Sequence, residues 1–369
     1  MESCGIPAEM VEKILLNLPV KSLLRFSSVS KSWFSRVFDS SFIKKYHGRE
    51  IIVFNSISSD HVNDVSSCPL SSILSDNSFE DATDVVCPFG QQPTSQPWIK
   101  AFCDQLWCVE KDNSFFLWNP SMRAYRNIPN PKIPPRTQTP NSEFVYGLGY
   151  DSICDDYKIL KIRRCCGMSN EAELYSLRSD SWSTIQSFPQ NSIFSSFGSF
   201  LNGALHYIVR RSRTVHVLIS FDLSAEKYGE VALPEYSPTL DFFDRVEVAV
   251  SSGKLCLCLS YGSTNCLALW VMEDYGVFES WTNKFHIDCN SFPNLGINYT
   301  WRPLYFSENG KILIDVSTLV EEGSGIFMYE DGKTLLRKKH GCNGSRCRPI
   351  SDVFVCVESL VSPARLQKY

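Results

Sequence analysis

A motif that returns about every 50 residues constrains this chain more than any other feature of its sequence. Its first half is a polar turn that runs into an apolar strand. It reads Asp104-Gln105-Leu106-Trp107-Cys108, then Asn202-Gly203-Ala204-Leu205, Ser252-Gly253-Lys254-Leu255 and Asn309-Gly310-Lys311-Ile312. Its second half is an apolar strand, a turn, and a strand bearing an aromatic. That half places Trp118, Tyr175, Phe221, Trp270 and Tyr329 in equivalent positions, 57, 46, 49 and 59 residues apart. Short strands separated by turn residues at this period predict four-stranded propeller blades, which stack because no blade can bury both faces alone.

The period is that of a kelch-type blade, and the roughly 320 residues after position 48 hold about six of them. Five are visible. The sixth is expected to join a strand near Ile51–Phe54 to one at Val353–Glu358, which closes the ring and removes its exposed edges. Residues 56–98, rich in Ser, Asp, Asn, Cys and Pro, predict a loop-rich first blade. We therefore divide the chain into a helical module over 1–48 and a β-domain over 49–369.

The helical module follows from a different period. Met10, Ile14, Leu15 and Leu18 recur at helical spacing, and Pro7 suits the first turn of that helix. Pro19 ends it and starts a second helix carrying Val20, Leu23, Leu24 and Phe26. A third carries Val29, Trp33, Val37 and Phe38, and Gly48 closes the unit. Sixteen large apolar residues lie between Ile6 and Phe38, more than three short helices can hide among themselves. The surplus needs another domain or another chain to cover it. Residues 1–48 hold seven Lys/Arg against four Asp/Glu, within a chain whose net charge is −4. A positive head on an acidic body predicts an acidic partner for the head and does not suit a general nucleic-acid binder.

The run Ile6-Pro7-x-Glu9-Met10, Ile14-Leu15-x-x-Leu18-Pro19-Val20-Lys21-Ser22-Leu23-Leu24-Arg25-Phe26 and Val29-Ser30-Lys31-x-Trp33 resembles the F-box of plant F-box proteins. The β-domain resembles the F-box-associated domain that follows it in a large plant family, which includes S-locus F-box proteins and receptors that restrain immune signalling. The matching residues are Leu117-Trp118-Asn119-Pro120-Ser121-x-Arg123-x-Tyr125, Tyr146-Gly147-Leu148-Gly149-Tyr150-Asp151 with Asp155-Asp156-Tyr157-Lys158, Leu174-Tyr175-Ser176-Leu177 with Trp182, and Trp270-Val271-Met272 with Tyr275-Gly276-Val277 and Ser280-Trp281. Gln105 departs from the glycine usual at that turn.

The resemblance implies the substrate-recognition subunit of a Skp–cullin–F-box ubiquitin ligase, which carries no catalytic residues. Pro7, Ile14, Leu15, Leu18, Pro19, Val20 and Leu23 would meet the Skp-type adaptor, and through it a cullin. Leu24, Phe26, Val29 and Trp33 would hold the helices together or share that contact. The β-domain would capture a protein substrate, whose identity the sequence does not name.

Other chemistry was sought in the residues. The six histidines are scattered, no CxxC occurs, and Cys256 and Cys258 alternate with leucines as apolar fillers, so no metal or cofactor is expected. A kelch-type copper oxidase would need clustered His and Tyr with a linked Cys, and a non-degradative interaction protein would look the same as a receptor. Gly323-Ser324-Gly325 ahead of Asp331-Gly332-Lys333-Thr334 fails as a phosphate loop because Phe327 stands where a glycine is required. The Gly332 stretch reads instead as a hairpin turn. Among the basic clusters, Arg210, Arg211 and Arg213 predict a receptor loop, since function concentrates on loops held by a rigid scaffold. No apolar run reaches the ~18 residues of a membrane helix, and the first nineteen residues lack a signal-peptide core. The fifteen cysteines are therefore expected to stay reduced in cytosol or nucleus.

Overall fold

The computed structural model describes residues 7–57, 63–76, 83–85, 98–104, 106–134, 144–164, 170–189, 193, 195, 197–212, 215–234, 245–261, 266–288, 299–318, 325–330, 332–339 and 353–363. Four short helices come first: α1 (Ala8–Leu16), α2 (Val20–Ser27), α3 (Lys31–Val37) and α4 (Ser40–Lys45). The third helix starts at Lys31, because the Ser30 hydroxyl accepts from Trp33 N–H at 3.3 Å and fixes the start there. Val29 is thus in the α2–α3 connection and not on the helix where its spacing predicts it. The sequence reading gives no fourth helix. It forms because Asp39 caps it, accepting from Ser41 and Phe42 N–H, and because Phe42 and Tyr46 have the head core to enter.

Strands then follow in six four-stranded antiparallel sheets, the blades of a propeller. Blades 2 to 6 are each built from consecutive strands: 98–128, 144–188, 199–231, 245–288 and 299–339. Blade 1 is shared between the two ends of the β-domain. Val353–Val357 is its first strand and pairs with Glu50–Ile57, in the register Glu50↔Val357 to Phe54↔Val353. The expected closure is therefore made. Asn63–Pro69 and Thr83–Val85 complete that blade, with α5 (Leu70–Asp76) between them. Leu70, Ile73 and Leu74 of α5 pack into the core between blades 1 and 6. Three apolar positions among serines are too few to announce this helix in the sequence.

All five equivalent aromatics stand on the third strand of their blades. Trp118, Tyr175 and Phe221 are buried, while Trp270 and Tyr329 pack at the edges of their cores. The turn between first and second strands explains the other half of the repeat. Asp104, Asn202, Gly203, Ser252, Gly253 and Gly310 all have positive φ, the backbone a tight hairpin of this hand demands. Gln105 lies outside the described residues. Gly332, at φ +80°, sits in the hairpin between Gly325–Glu330 and Lys333–Lys339.

Three glycines are required by packing. Gly147 of blade 3 bridges to Gly198 beside blade 4, and a Cβ on either would lie 2.4 Å from the Tyr207 hydroxyl. A Cβ on Gly149 would lie 2.4 Å from the Phe200 ring. Indole N–H groups tie neighbouring blades: Trp182 donates to Pro129 O at 2.7 Å and Trp281 to Ala232 O at 3.0 Å.

Strand alternation gives the propeller two unlike ends. The chain leaves the head at Gly48 and enters the second strand of blade 1 at Glu50, so the turns after every first and third strand lie at the head end. Those after the first strands are short, as at 202–203 and 252–253, while those after the third strands include α5 in blade 1 and the eight-residue turn 273–280 in blade 5. The fourth strands of blades 2 to 6 end at the far end, at Ile128, Phe188, Val231, Asp288 and Lys339. No helix among the described residues is long and apolar enough to cross a membrane.

Candidate functional site

The head builds a small core from Leu15, Val20, Leu23, Val37, Phe42 and Tyr46, and Leu360 from the far C-terminal segment completes it. The Tyr46 hydroxyl donates to Leu18 O at 2.8 Å, which ties the end of the unit to the α1–α2 turn. Of the residues expected to face a partner, Pro7, Ile14 and Phe26 are exposed, and Leu18, Pro19, Leu24 and Trp33 are half-buried. Leu15, Val20 and Leu23 are a correction. They are 2%, 0% and 0% exposed, because three short helices need them to close any core at all. They support the outward face from behind and do not form it.

Exposure adds Met10 and Phe34 to the residues expected to face a partner, and turns Val29 outward. Met10 lies one turn before Ile14 on the same face of α1, and each is 51% exposed. Val29 is 70% exposed, Phe34 is exposed on α3, and Phe26 stacks on Trp33 with ring centres 5.7 Å apart. Large apolar side chains in water at this density mark a surface built to be covered. Lys21, Arg25 and Lys31 stand exposed around the same helices.

The basic loop predicted as a receptor site divides. Arg210 ends the second strand of blade 4 and is half-buried, with desolvation pulling its guanidinium below the ordinary value. Arg211 is exposed, pairs with Glu230 at 2.7 Å and donates its N–H to Val215 O at 2.9 Å. Arg213 lies outside the described residues. Arg210 and Arg211 both stand at the far end of the propeller, opposite the head.

A cavity of about 220 Å³ runs down the propeller axis. Phe102, Phe197 and Phe354 cluster in it, with ring centres 4.3 to 6.1 Å apart. The Arg302 guanidinium lies 4.9 Å from the Phe354 ring and 5.4 Å from that of Phe197, and its Nε donates to Asp315 at 3.2 Å. Burial pushes the Glu247 carboxyl up to about 7, against the opposing pull of Arg245, Arg164 and Arg302. His206 is enclosed, with Nδ1 at 3.0 Å from Ser199 O and Nε2 at 2.9 Å from the Tyr275 hydroxyl; burial pulls it down to about 4, which keeps it neutral. Both ring nitrogens are engaged within the fold, so the pair reads as structural. Cys256 and Cys258 are buried in the core shared by blades 5 and 6, and burial pushes the Cys256 thiol up to about 12, far from a reactive thiolate. Among the described residues, no three His, Cys, Asp or Glu side chains group as metal ligands. Cys165, Cys166, Cys342 and Cys347 lie outside the described residues.

Comparison with known proteins agrees with this geometry. The F-box associated beta propeller domain matches residues 26–363, and the F-box domain matches residues 4–45. An F-box/kelch-repeat protein of Arabidopsis thaliana is 27% identical, over 97% of this chain and 96% of its own. F-box protein CPR1 of the same plant is 25% identical, over 85% of this chain and 80% of its own. Among solved structures, TolB from Acinetobacter baumannii aligns at a TM-score of 0.42 and 9% identity, over 78% of this chain and 65% of that one.

Proposed function

Because this chain belongs to the F-box-associated β-propeller family and carries an F-box ahead of the propeller, we propose that it is the substrate-receptor subunit of a Skp–cullin–F-box ubiquitin ligase. The head docks on a Skp-type adaptor, and through it on a cullin. The propeller holds a protein substrate for ubiquitination and proteasomal degradation. The observation that carries the reading is the apolar surface of the head that stays exposed after Leu360 has completed its core. Met10, Ile14, Phe26, Val29 and Phe34 lead that docking face, with Pro7, Leu18, Pro19, Leu24 and Trp33 beside them. Each anchor buried by a partner contributes roughly 1.5–3 kcal/mol. The exposed Lys21, Arg25 and Lys31 suit an acidic adaptor and raise its association rate.

The chain acts without chemistry of its own. It supplies effective concentration and orientation, while bond making occurs on other subunits. The substrate meets the far end of the propeller, where Arg210 and Arg211 stand, clear of the head. The buried free thiols suit work in cytosol or nucleus, where they stay reduced.

The test reconstitutes the full chain with a purified Skp-type adaptor and follows binding by calorimetry. Ile14→Asp combined with Phe26→Asp removes two exposed anchors and should weaken adaptor binding at least ~100-fold, with the melting of the propeller unchanged. Retained binding would overturn the docking face. Arg210→Glu with Arg211→Glu should leave adaptor binding intact and lower the yield of substrate captured with the proteasome blocked. An unchanged yield removes the arginines from the receptor face.

A further inference from the structure

We propose that residues 358–361, just after the closing strand, form a clamp between propeller and head, with Glu358 as the positioning residue for helix α2 of the adaptor-docking face. The proposal rests on the reading of the head as that docking unit.

Helix α2 cannot cap itself. Its N-cap is Pro19, which offers no side-chain acceptor, whereas α3 and α4 have Ser30 and Asp39. A polar group comes to it from the other end of the sequence: the Glu358 carboxyl faces Val20 N–H, whose pull opposes the rise that burial imposes on it. An acidic group there also faces the positive end of the helix dipole. The backbone locks the same contact. Glu358 N–H donates to Arg49 O at 2.9 Å, and a Cβ on Gly48 would fall 1.8 Å from Glu358 O, so the two segments lie flat against each other. Two residues on, Leu360 is 1% exposed within the head core, against Leu15, Val20 and Leu23.

The segment is held equally firmly on its propeller side. Asn119, fully buried, donates through Nδ2 to Ser359 O at 3.2 Å and to Val361 O at 2.8 Å. Its Oδ1 accepts from Met122 N–H at 3.1 Å, and the Met122 side chain packs on the head cluster. The clamp continues from Val353–Val357, the strand that closes the ring. Helix α2 is therefore capped and packed only when the propeller is closed. Adaptor docking is conditional on a folded receptor domain, which keeps chains without a receptor face off the ligase. Burial raises the Glu358 carboxyl from its ordinary value, against the pull of Val20 N–H and Arg49. The contact needs an acceptor oxygen more than a negative charge, so an amide should replace it.

The experiment compares full-length wild type, Glu358→Ala and Glu358→Gln. It measures adaptor affinity by calorimetry, amide exchange at Val20 to Leu23 in the free chain, and the melting of the propeller. Glu358→Ala should weaken adaptor binding roughly fivefold, the scale of a lost helix cap, and speed exchange at the start of α2, with melting unchanged. Glu358→Gln should stay within about twofold of wild type in both readouts, since its amide oxygen can take the place of the carboxyl facing Val20 N–H. Wild-type affinity and exchange in Glu358→Ala, or a Gln variant as poor as the Ala variant, would overturn the clamp. Should the wild-type chain fail to bind the adaptor, the reading of the head falls. Exchange alone then decides the clamp: faster exchange in the Ala variant only sustains it, and unchanged exchange removes it.

Discussion

In the head, Met10, Ile14 and Val29 are at least half exposed, while in the propeller Trp107, Tyr175, Tyr207 and Phe221 are sealed from water. Both regions are rich in apolar residues. They differ in whether their geometry lets them finish a core. Six blades give each sheet two neighbours, so clusters form across every seam and across the closure. Four short helices have one neighbour, and they borrow Leu360 from it. A region that cannot finish its core advertises a partner in its apolar residues. A region that finishes its core can show a partner only at its loops and rim. Function is therefore written in the head as surplus and in the propeller only at its rim.

The largest effect tests the sealed side of that contrast. Trp107 packs between Trp118 and Phe354, with ring centres 5.5 and 5.8 Å away, at the seam between the closing blade and its neighbour. Trp107→Ala should destabilise the propeller by about 3–5 kcal/mol in urea unfolding, as expected for a large side chain lost from a packed core. The Ile14→Asp and Phe26→Asp changes carry exposed side chains and should stay within about 0.5 kcal/mol of wild-type stability. A Trp107→Ala variant as stable as the head variant would break the comparison.

A second prediction uses pH. His206 is wholly buried, and its folded value near 4 lies below the ordinary 6.5. A depressed base contributes stability that is present above its unfolded value and is lost as pH falls toward its folded one. Between pH 6.5 and 4 the propeller should therefore lose roughly 3 kcal/mol through this residue. His206→Gln should flatten that part of the urea midpoint–pH curve. A His206→Gln curve with the wild-type slope in this window would show that the ring is not sealed as the structure has it, since Glu247, raised to about 7, contributes with the opposite sign in both proteins.

Much of this was legible in the sequence, for reasons that differ by region. The blades were legible because each repeats the same physical problem: a tight turn with positive φ, a buried central strand, and an aromatic on the third strand. The closure followed from the cost of leaving an edge unpaired. The head helices were legible from apolar spacing and two prolines, but that spacing cannot separate inward from outward residues when nearly every side is apolar. Leu15, Val20 and Leu23 were therefore assigned to the partner and belong to the core. Helix α4 was missed because its core partners, among them Leu360, lie far away in sequence. Asn119, Glu358 and Leu360 carry no local signal at all: each is an isolated residue whose role depends on a contact between distant parts of the chain.

The smallest expected effect separates two ways of joining head to body. Besides the clamp, Lys44 of α4 reaches Asp155 in the first turn of blade 3, with Nζ to Oδ2 at 3.4 Å and both side chains 62% exposed. An ion pair this open loses its attraction to solvent screening and its side chains resist ordering, so it contributes at most about 0.5 kcal/mol. Lys44→Ala should leave adaptor affinity, exchange at α2 and melting near wild type, and added salt should change nothing further. The clamp predicts the contrary for Glu358→Ala, whose acceptor is buried and whose loss leaves a helix end uncapped. If Lys44→Ala loosened α2 as much as Glu358→Ala, the joint would be electrostatic and exposed. The head would then ride on the propeller surface, and the closing strand would have no hold on it.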